Sequence, residues 1–231
     1  MYHRAAARAV YASDMETLSI RTDRGEVSAS VHGEGSTVVA LAHGAGGDRR
    51  TGLLVRLASA LAAEGRRVVV YNFPYSEARR RVPDPPAVLE STVSAVAGHL
   101  RSELGASRVV LGGKSMGGRI ASQAVAKGLA CDGLVFLGYP LHPPGKFDSL
   151  RDAHLPAVSV PMLFVQGTRD AFARPDLLAA VLGRLGERAT LHSIDGGDHS
   201  LSMPRRAGRA PAQVEAEVAG AISRWLAARG W

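Results

Sequence analysis

The chain has 231 residues, 46% of them hydrophobic, which is enough for one continuous core and argues against a disordered chain. Lys and Arg number 28 against 21 acids, a formal net charge of +7 that favours anionic ligands; with no zinc-finger spacing and no aromatic-interleaved strand, nucleic acid is not an expected partner. The one cysteine, Cys131, excludes an intrachain disulfide, and no apolar run approaches the roughly 18 residues of a membrane span, so a cytoplasmic protein without a membrane partner is expected.

The opening MYHRAAARAVYASDMETL is basic but has no continuous apolar segment of the kind a signal peptide needs. Residues 1–16 are expected to be an extension, and 17–231 a single domain. TLSIRT (17–22) and VSASV (27–31) flank Asp23-Arg24-Gly25-Glu26 as a hairpin. TVVALAH (37–43) and RVVVYNF (67–73) are near-continuous apolar runs, the pattern of strands buried on both faces of a parallel sheet. Between them, 51–65 has helical spacing at Leu54, Leu57 and Leu61 and ends at Gly65. A helix over 86–104, a strand RVVLG (108–112) and a helix over 116–127 continue the alternation. Strands GLVFLGY (133–139), PMLFVQG (161–167) and ATLHSID (189–195) follow, with helices over 174–186 and 212–228. This predicts a three-layer α/β fold with a mostly parallel sheet of seven or eight strands. The irregular segments are 76–86, 140–161 and 202–211; the first two leave strands at the carboxyl end of the sheet, where ligands bind in open α/β folds.

Gly113-Lys114-Ser115-Met116-Gly117 fits G-x-S-x-G between a buried strand and a helix. A serine lifted on such a corner needs small residues two before and two after, since side chains there would strike the neighbouring strand and helix. A serine hydroxyl needs a base, and the base an orienting acid. Asp170 in GTRDAF and His199 in GGDHSL lie just beyond later strand ends, in the chain order this chemistry uses on a strand–turn–helix serine. Asp195 and Asp198 compete for the acid role, and His142 could be the base only if its loop curled over Ser115. His32, His99, His154 and His192 read as strand, helix or surface residues. The oxyanion that forms on attack needs N–H donors: Met116 follows the serine, and Ala45, beside Gly44 in HGAGG (43–47), is the expected second. HGAGG lacks the G-x-x-x-x-G-K-[ST] continuation of a phosphate loop, and acyl transfer through a serine, a histidine and an acid needs no metal or organic cofactor.

Together HGAGG, GKSMGG, GTRD and GGDHSL make the chain resemble a small serine α/β-hydrolase. NFPYSEARRRVPDPP, YPLHPPGK and LFVQGTRD resemble the dienelactone-hydrolase-like bacterial group, akin to the hydrolase-like domain of a testis-expressed protein and of a chromatin acetyltransferase complex subunit. The resemblance covers about 18–226 and implies an α/β-hydrolase fold, a nucleophile at Ser115, an acid at Asp170, a histidine at His199 and an oxyanion loop at Gly44-Ala45. Dienelactone hydrolases themselves use a cysteine nucleophile, so lactone opening is not the expected reaction, and relatives that act as scaffolds keep a non-catalytic interaction protein open.

The expected activity is cleavage of small esters, with thioesters and peptides as alternatives for the same triad. The segment between Tyr139 and Pro161 is too short for a large cap domain, so the site should be open and shallow. Tyr75, Tyr139 and His142 are candidate pocket walls. Arg79 and Arg80, with Arg81, are candidates to bind an anionic substrate group, against the plainer reading of a solvated arginine run. An exposed sheet edge or the terminal helix could support a homodimer.

Overall fold

The computed structural model describes residues 15–204 and 207–231. The extension expected over 1–16 lies outside them, apart from residues 15 and 16, which open the first strand. The strands are β1 (Met15–Thr22), β2 (Gly25–His32), β3 (Thr37–Ala42), β4 (Arg67–Tyr71), β5 (Arg108–Lys114), β6 (Gly133–Leu137), β7 (Met162–Gly167) and β8 (Ala189–Ile194). The helices are α1 (Gly52–Ala63), α2 (Pro74–Glu77), α3 (Pro86–Ser102), α4 (Met116–Ala126), α5 (Pro175–Leu185) and α6 (Pro211–Ala227).

All eight strands form one sheet in the order β1-β2-β4-β3-β5-β6-β7-β8. β2 runs antiparallel to both β1 and β4, and every pairing from β4 to β8 is parallel. The apolar runs bury both faces, and strand alternation assigns each residue to a layer. Val38, Ala40 and Ala42 of β3 join Leu111, Phe136 and Phe164 under α3, α4 and α5, whose Val93, Ile120 and Leu178 complete that core. Val39 and Leu41 join Val110, Val135 and Val165 on the opposite face, beneath Leu57 of α1 and Ile222 of α6. This is the expected three-layer architecture.

Two features differ from the sequence expectation. β5 extends past RVVLG to Lys114 because its ladder with β6 continues through Gly113↔Phe136 and Lys114↔Leu137. The chain after β4 makes a turn of helix, α2, before the arginine run. The long segment after β6 carries only a 3₁₀ turn, Leu155–Ala157. Its Leu141, Leu155 and Val158 are fully buried, so it packs down into the core and builds no cap over the sheet.

Candidate active site

The ends of β3, β5, β7 and β8 meet at the carboxyl edge of the sheet. At the end of β5 the chain reverses into α4 through Ser115, held at φ +50°, ψ −113°, a region that serine occupies only under tertiary constraint. Its N–H donates to the Leu137 carbonyl of β6 at 3.0 Å. A Cβ on Gly113, itself at φ +147°, would overlap the Ala42 carbonyl; one on Gly117 would lie 2.5 Å from the Ala42 oxygen and 2.7 Å from that of His43. The motif's flanking glycines therefore both make room for the end of β3.

The structure brings together Ser115, His199 and Asp170. His199 Nε2 lies 2.8 Å from Ser115 Oγ, and Nδ1 lies 2.8 Å and 3.0 Å from the two Asp170 oxygens. The Asp170 side chain is fully buried, and a buried carboxylate requires donors. Gln166 Nε2 supplies one at 2.5 Å and the Phe172 N–H another at 2.7 Å. With a carboxylate facing Nδ1, the proton belongs on that nitrogen, leaving the Nε2 lone pair toward the serine hydroxyl. The Phe172 ring lies against the imidazole, centroids 4.2 Å apart. Asp198 points elsewhere: it accepts the N–H groups of Ser200 and Ser202 and shapes the loop that carries His199. Asp195 accepts from the Thr168 hydroxyl at 3.2 Å.

Met116 opens α4, so its N–H has no acceptor within the helix. Gly44 packs against the serine turn, a Cβ there lying 3.6 Å from Ser115 Cβ, and the Ala45 N–H makes no hydrogen bond among the described residues. His43 holds this loop in a way that sequence reasoning missed. It is fully buried; Nε2 accepts the Phe73 N–H at 3.2 Å, which leaves Nδ1 to donate to the Gly44 carbonyl at 2.9 Å. Burial keeps the ring below the ordinary histidine range, hence neutral. Gln166 was likewise missed, although a lone amide inside an apolar strand was a visible signal; its Oε1 accepts the Tyr139 N–H while its Nε2 reaches Asp170.

A cavity of about 510 Å³ opens at Ser115 and His199, walled by Leu89, Met116, Ile120 and Phe172 and by three basic side chains, Lys114, Arg119 and Arg151. Of the substrate-binding candidates drawn from the sequence, Gly44 lines it, whereas Tyr75, Tyr139, His142, Arg79 and Arg80 do not. Tyr75 is fully buried, with its hydroxyl 3.3 Å from the Gly44 carbonyl, and so supports the loop from behind. Tyr139 is buried between Phe136 and Phe164 and donates to the Arg151 carbonyl. His142 is buried, one nitrogen accepting the Arg174 N–H and the other facing the Pro143 carbonyl, and it is not placed as a base. Arg79 and Arg80 are turned outward by the end of α2: Arg79 N–H returns to Ser76 and Arg80 N–H to Tyr75, with Arg79 at φ +54°. Arg80 then pairs with Asp84 at 2.6 Å.

Solved structures share this architecture. An α/β serine hydrolase without a lid from Xanthomonas campestris superposes with a TM-score of 0.71 at 20% identity, covering 92% of this chain and 95% of its own. A dienelactone hydrolase from Anabaena variabilis gives 0.71 at 19% identity over 92% and 96%. Est1E from Butyrivibrio proteoclasticus gives 0.68 at 14% identity over 91% and 99%. At these identities the likeness is one of fold. Residues 35–227, which include every element from β3 to α6, match the alpha/beta hydrolase domain family, and the chain belongs to that family.

Proposed function

We propose that the protein is a carboxylesterase-like serine hydrolase, and the observation that carries this is the continuous hydrogen-bonded line from Ser115 Oγ through His199 to buried Asp170. Ser115 Oγ attacks the ester carbonyl carbon while its proton passes to His199 Nε2, and the carbonyl electrons move onto oxygen. Asp170 fixes the tautomer and balances the imidazolium. The Met116 and Ala45 N–H groups receive the oxyanion, a contribution of about 10²-fold in kcat per donor. Collapse breaks the bond to the alcohol, which leaves with the proton from Nε2. Water then attacks the acyl-enzyme, giving its proton to the same nitrogen, and the second collapse returns that proton to Ser115. Every bond and proton is handled by groups of the chain.

Labelling with a fluorophosphonate probe tests the reading. Wild type should label, and Ser115→Ala and His199→Ala should not. Asp170→Asn should turn over p-nitrophenyl esters slower by roughly 10⁴-fold, while Asp195→Ala and Asp198→Ala retain labelling. A well-folded wild type that resists the probe would favour a non-catalytic interaction protein. Faster turnover of acyl thioesters or peptide amides than of matched oxygen esters would move the activity to those classes.

A further inference from the structure

Away from the Ser115 cavity several arginines meet carboxylates, while others, such as Arg67 on the Leu104 carbonyl and Arg188 on the Pro156 carbonyl, meet only neutral acceptors. Arg56 is matched with Glu215, Arg101 and Arg108 with Asp132, Arg174 with Asp176. Arg119, one helical turn beyond Ser115 in α4, and Arg151, from the loop after β6, both wall the cavity, and among the described residues neither meets a carboxylate. The nearby acids are taken by other cations: Asp152 by Arg184 at 2.5 Å, Glu90 by Lys127 at 2.5 Å, and Asp84, also in the wall, by Arg80 at 2.6 Å. Each guanidinium spends one nitrogen on a neutral acceptor, Arg119 on Gln123 Oε1 at 3.2 Å and Arg151 on the Pro140 carbonyl at 3.4 Å.

Two guanidinium groups beside one recess repel each other and lose hydration, so the arrangement costs stability unless an anion joins them. Burial, and then the charge of Arg151, push the Arg119 guanidinium below the ordinary arginine range. The planar forks suit an anionic oxygen group, which accepts several charge-assisted hydrogen bonds at once. Leu89, Met116, Ile120 and Phe172 supply the apolar wall along which a short carbon chain would run between such a group and Ser115.

We propose that Arg119 and Arg151 form an anion seat in the Ser115 cavity, so that the substrate is an ester carrying a carboxylate or phosphate-like group at the end of a short apolar chain. This rests on the hydrolase reading above. It also moves anion recognition from the outward-facing Arg79 and Arg80 to a pair that the sequence order does not connect.

The test uses the full chain and matched esters: p-nitrophenyl hexanoate, mono-p-nitrophenyl adipate, its analogue ending in phosphonate, and an isomer with the carboxylate on the alcohol. At least one charged ester should exceed the neutral one in kcat/KM by roughly tenfold to a hundredfold, carried mainly in KM and shrinking with added salt. The preferred isomer identifies the anion and the side of the ester that bears it. Arg119→Gln and Arg151→Gln should each bring the ratio toward one, with Arg119→Lys retaining part of it and melting temperatures reporting that the variants are folded. Turnover of the neutral ester equal to all charged ones, or a preference that survives both glutamine variants, overturns the anion seat. Calorimetric titration of Ser115→Ala with adipate separates the two readings. Adipate binding that is lost in the double variant S115A/R119Q supports the seat even where wild type fails to label, and an absence of binding overturns it even where labelling succeeds.

Discussion

Ser115 keeps a backbone conformation costing of the order of 1–3 kcal/mol because the β5 ladder, α4 and the Leu137 carbonyl fix the chain on either side of it. The glycines around it are set by the same crowding, and one substitution separates crowding from glycine's general flexibility. Gly117→Ala forces a Cβ against two backbone oxygens of β3 and the following residue, atoms that cannot give way. It should destabilise the protein by about 3 kcal/mol, a fall in melting temperature of roughly 6–12 °C for a chain of this size. Gly98→Ala, exposed in α3 with nothing within 4 Å of the new carbon, should instead be neutral or stabilising by up to about 1 kcal/mol. Equal melting temperatures for the two variants would contradict the packing account of the motif.

At the scale of elements, α2 decides what the arginine run can do. Its end is a Schellman motif: Arg79 N–H to the Ser76 carbonyl, Arg80 N–H to the Tyr75 carbonyl, and Arg79 in the left-handed conformation usually given to glycine. The element is anchored by Glu77, which accepts the Ser28 N–H at 2.6 Å and the Asn72 amide at 2.8 Å. Arg79→Gly should therefore raise stability by about 1 kcal/mol in a thermal melt and leave ester kinetics unchanged. A rise in KM for anionic esters in that variant would restore Arg79 to the binding site. The loop after β6 works in the opposite sense. By burying Leu141, Leu155 and Val158 it leaves the Ser115 cavity open and carries Arg151 to its wall.

For the whole molecule, burial of histidines ties stability to pH. His32, His43 and His154 are all held below the ordinary value of 6.5, chiefly by desolvation, and His154 is pushed down to about 4. Arg119 and Lys127 lower it further, while Asp152 and Glu90 act against the shift. The unfolded chain binds these protons first, so the stability of the neutral forms is fully present above about pH 6.5 and is lost as pH falls toward 4. Glu77 and Glu217 lie below their ordinary value of 4.5 and add to the loss only at lower pH. Urea unfolding between pH 7 and 4.5 should show stability falling with acid, with a smaller slope in His154→Gln; a flat profile in wild type would show that these rings are hydrated in solution. Among the described residues no helix is long and apolar enough to cross a membrane.

The sequence by itself determined the strands, the long helices and the layered architecture, though not the short α2, because burial on both faces leaves a continuous apolar run, a helix leaves a spaced one, and a strained serine turn leaves glycines at fixed positions. It also placed Ser115, Asp170 and His199 just past strand ends, which in a parallel sheet is enough to bring them to one edge. Only the tertiary structure decided what faces what. Strand ends fix where a loop begins but not which way its side chains turn: Tyr75, Tyr139 and His142 went into the interior, Arg79 and Arg80 went outward, and Arg119 and Arg151, from a helix and a distant loop, met beside the serine. The supports His43 and Gln166 became visible only when buried polar atoms had to be matched, since the need for a partner arises from burial, a property of the folded chain and not of residue order.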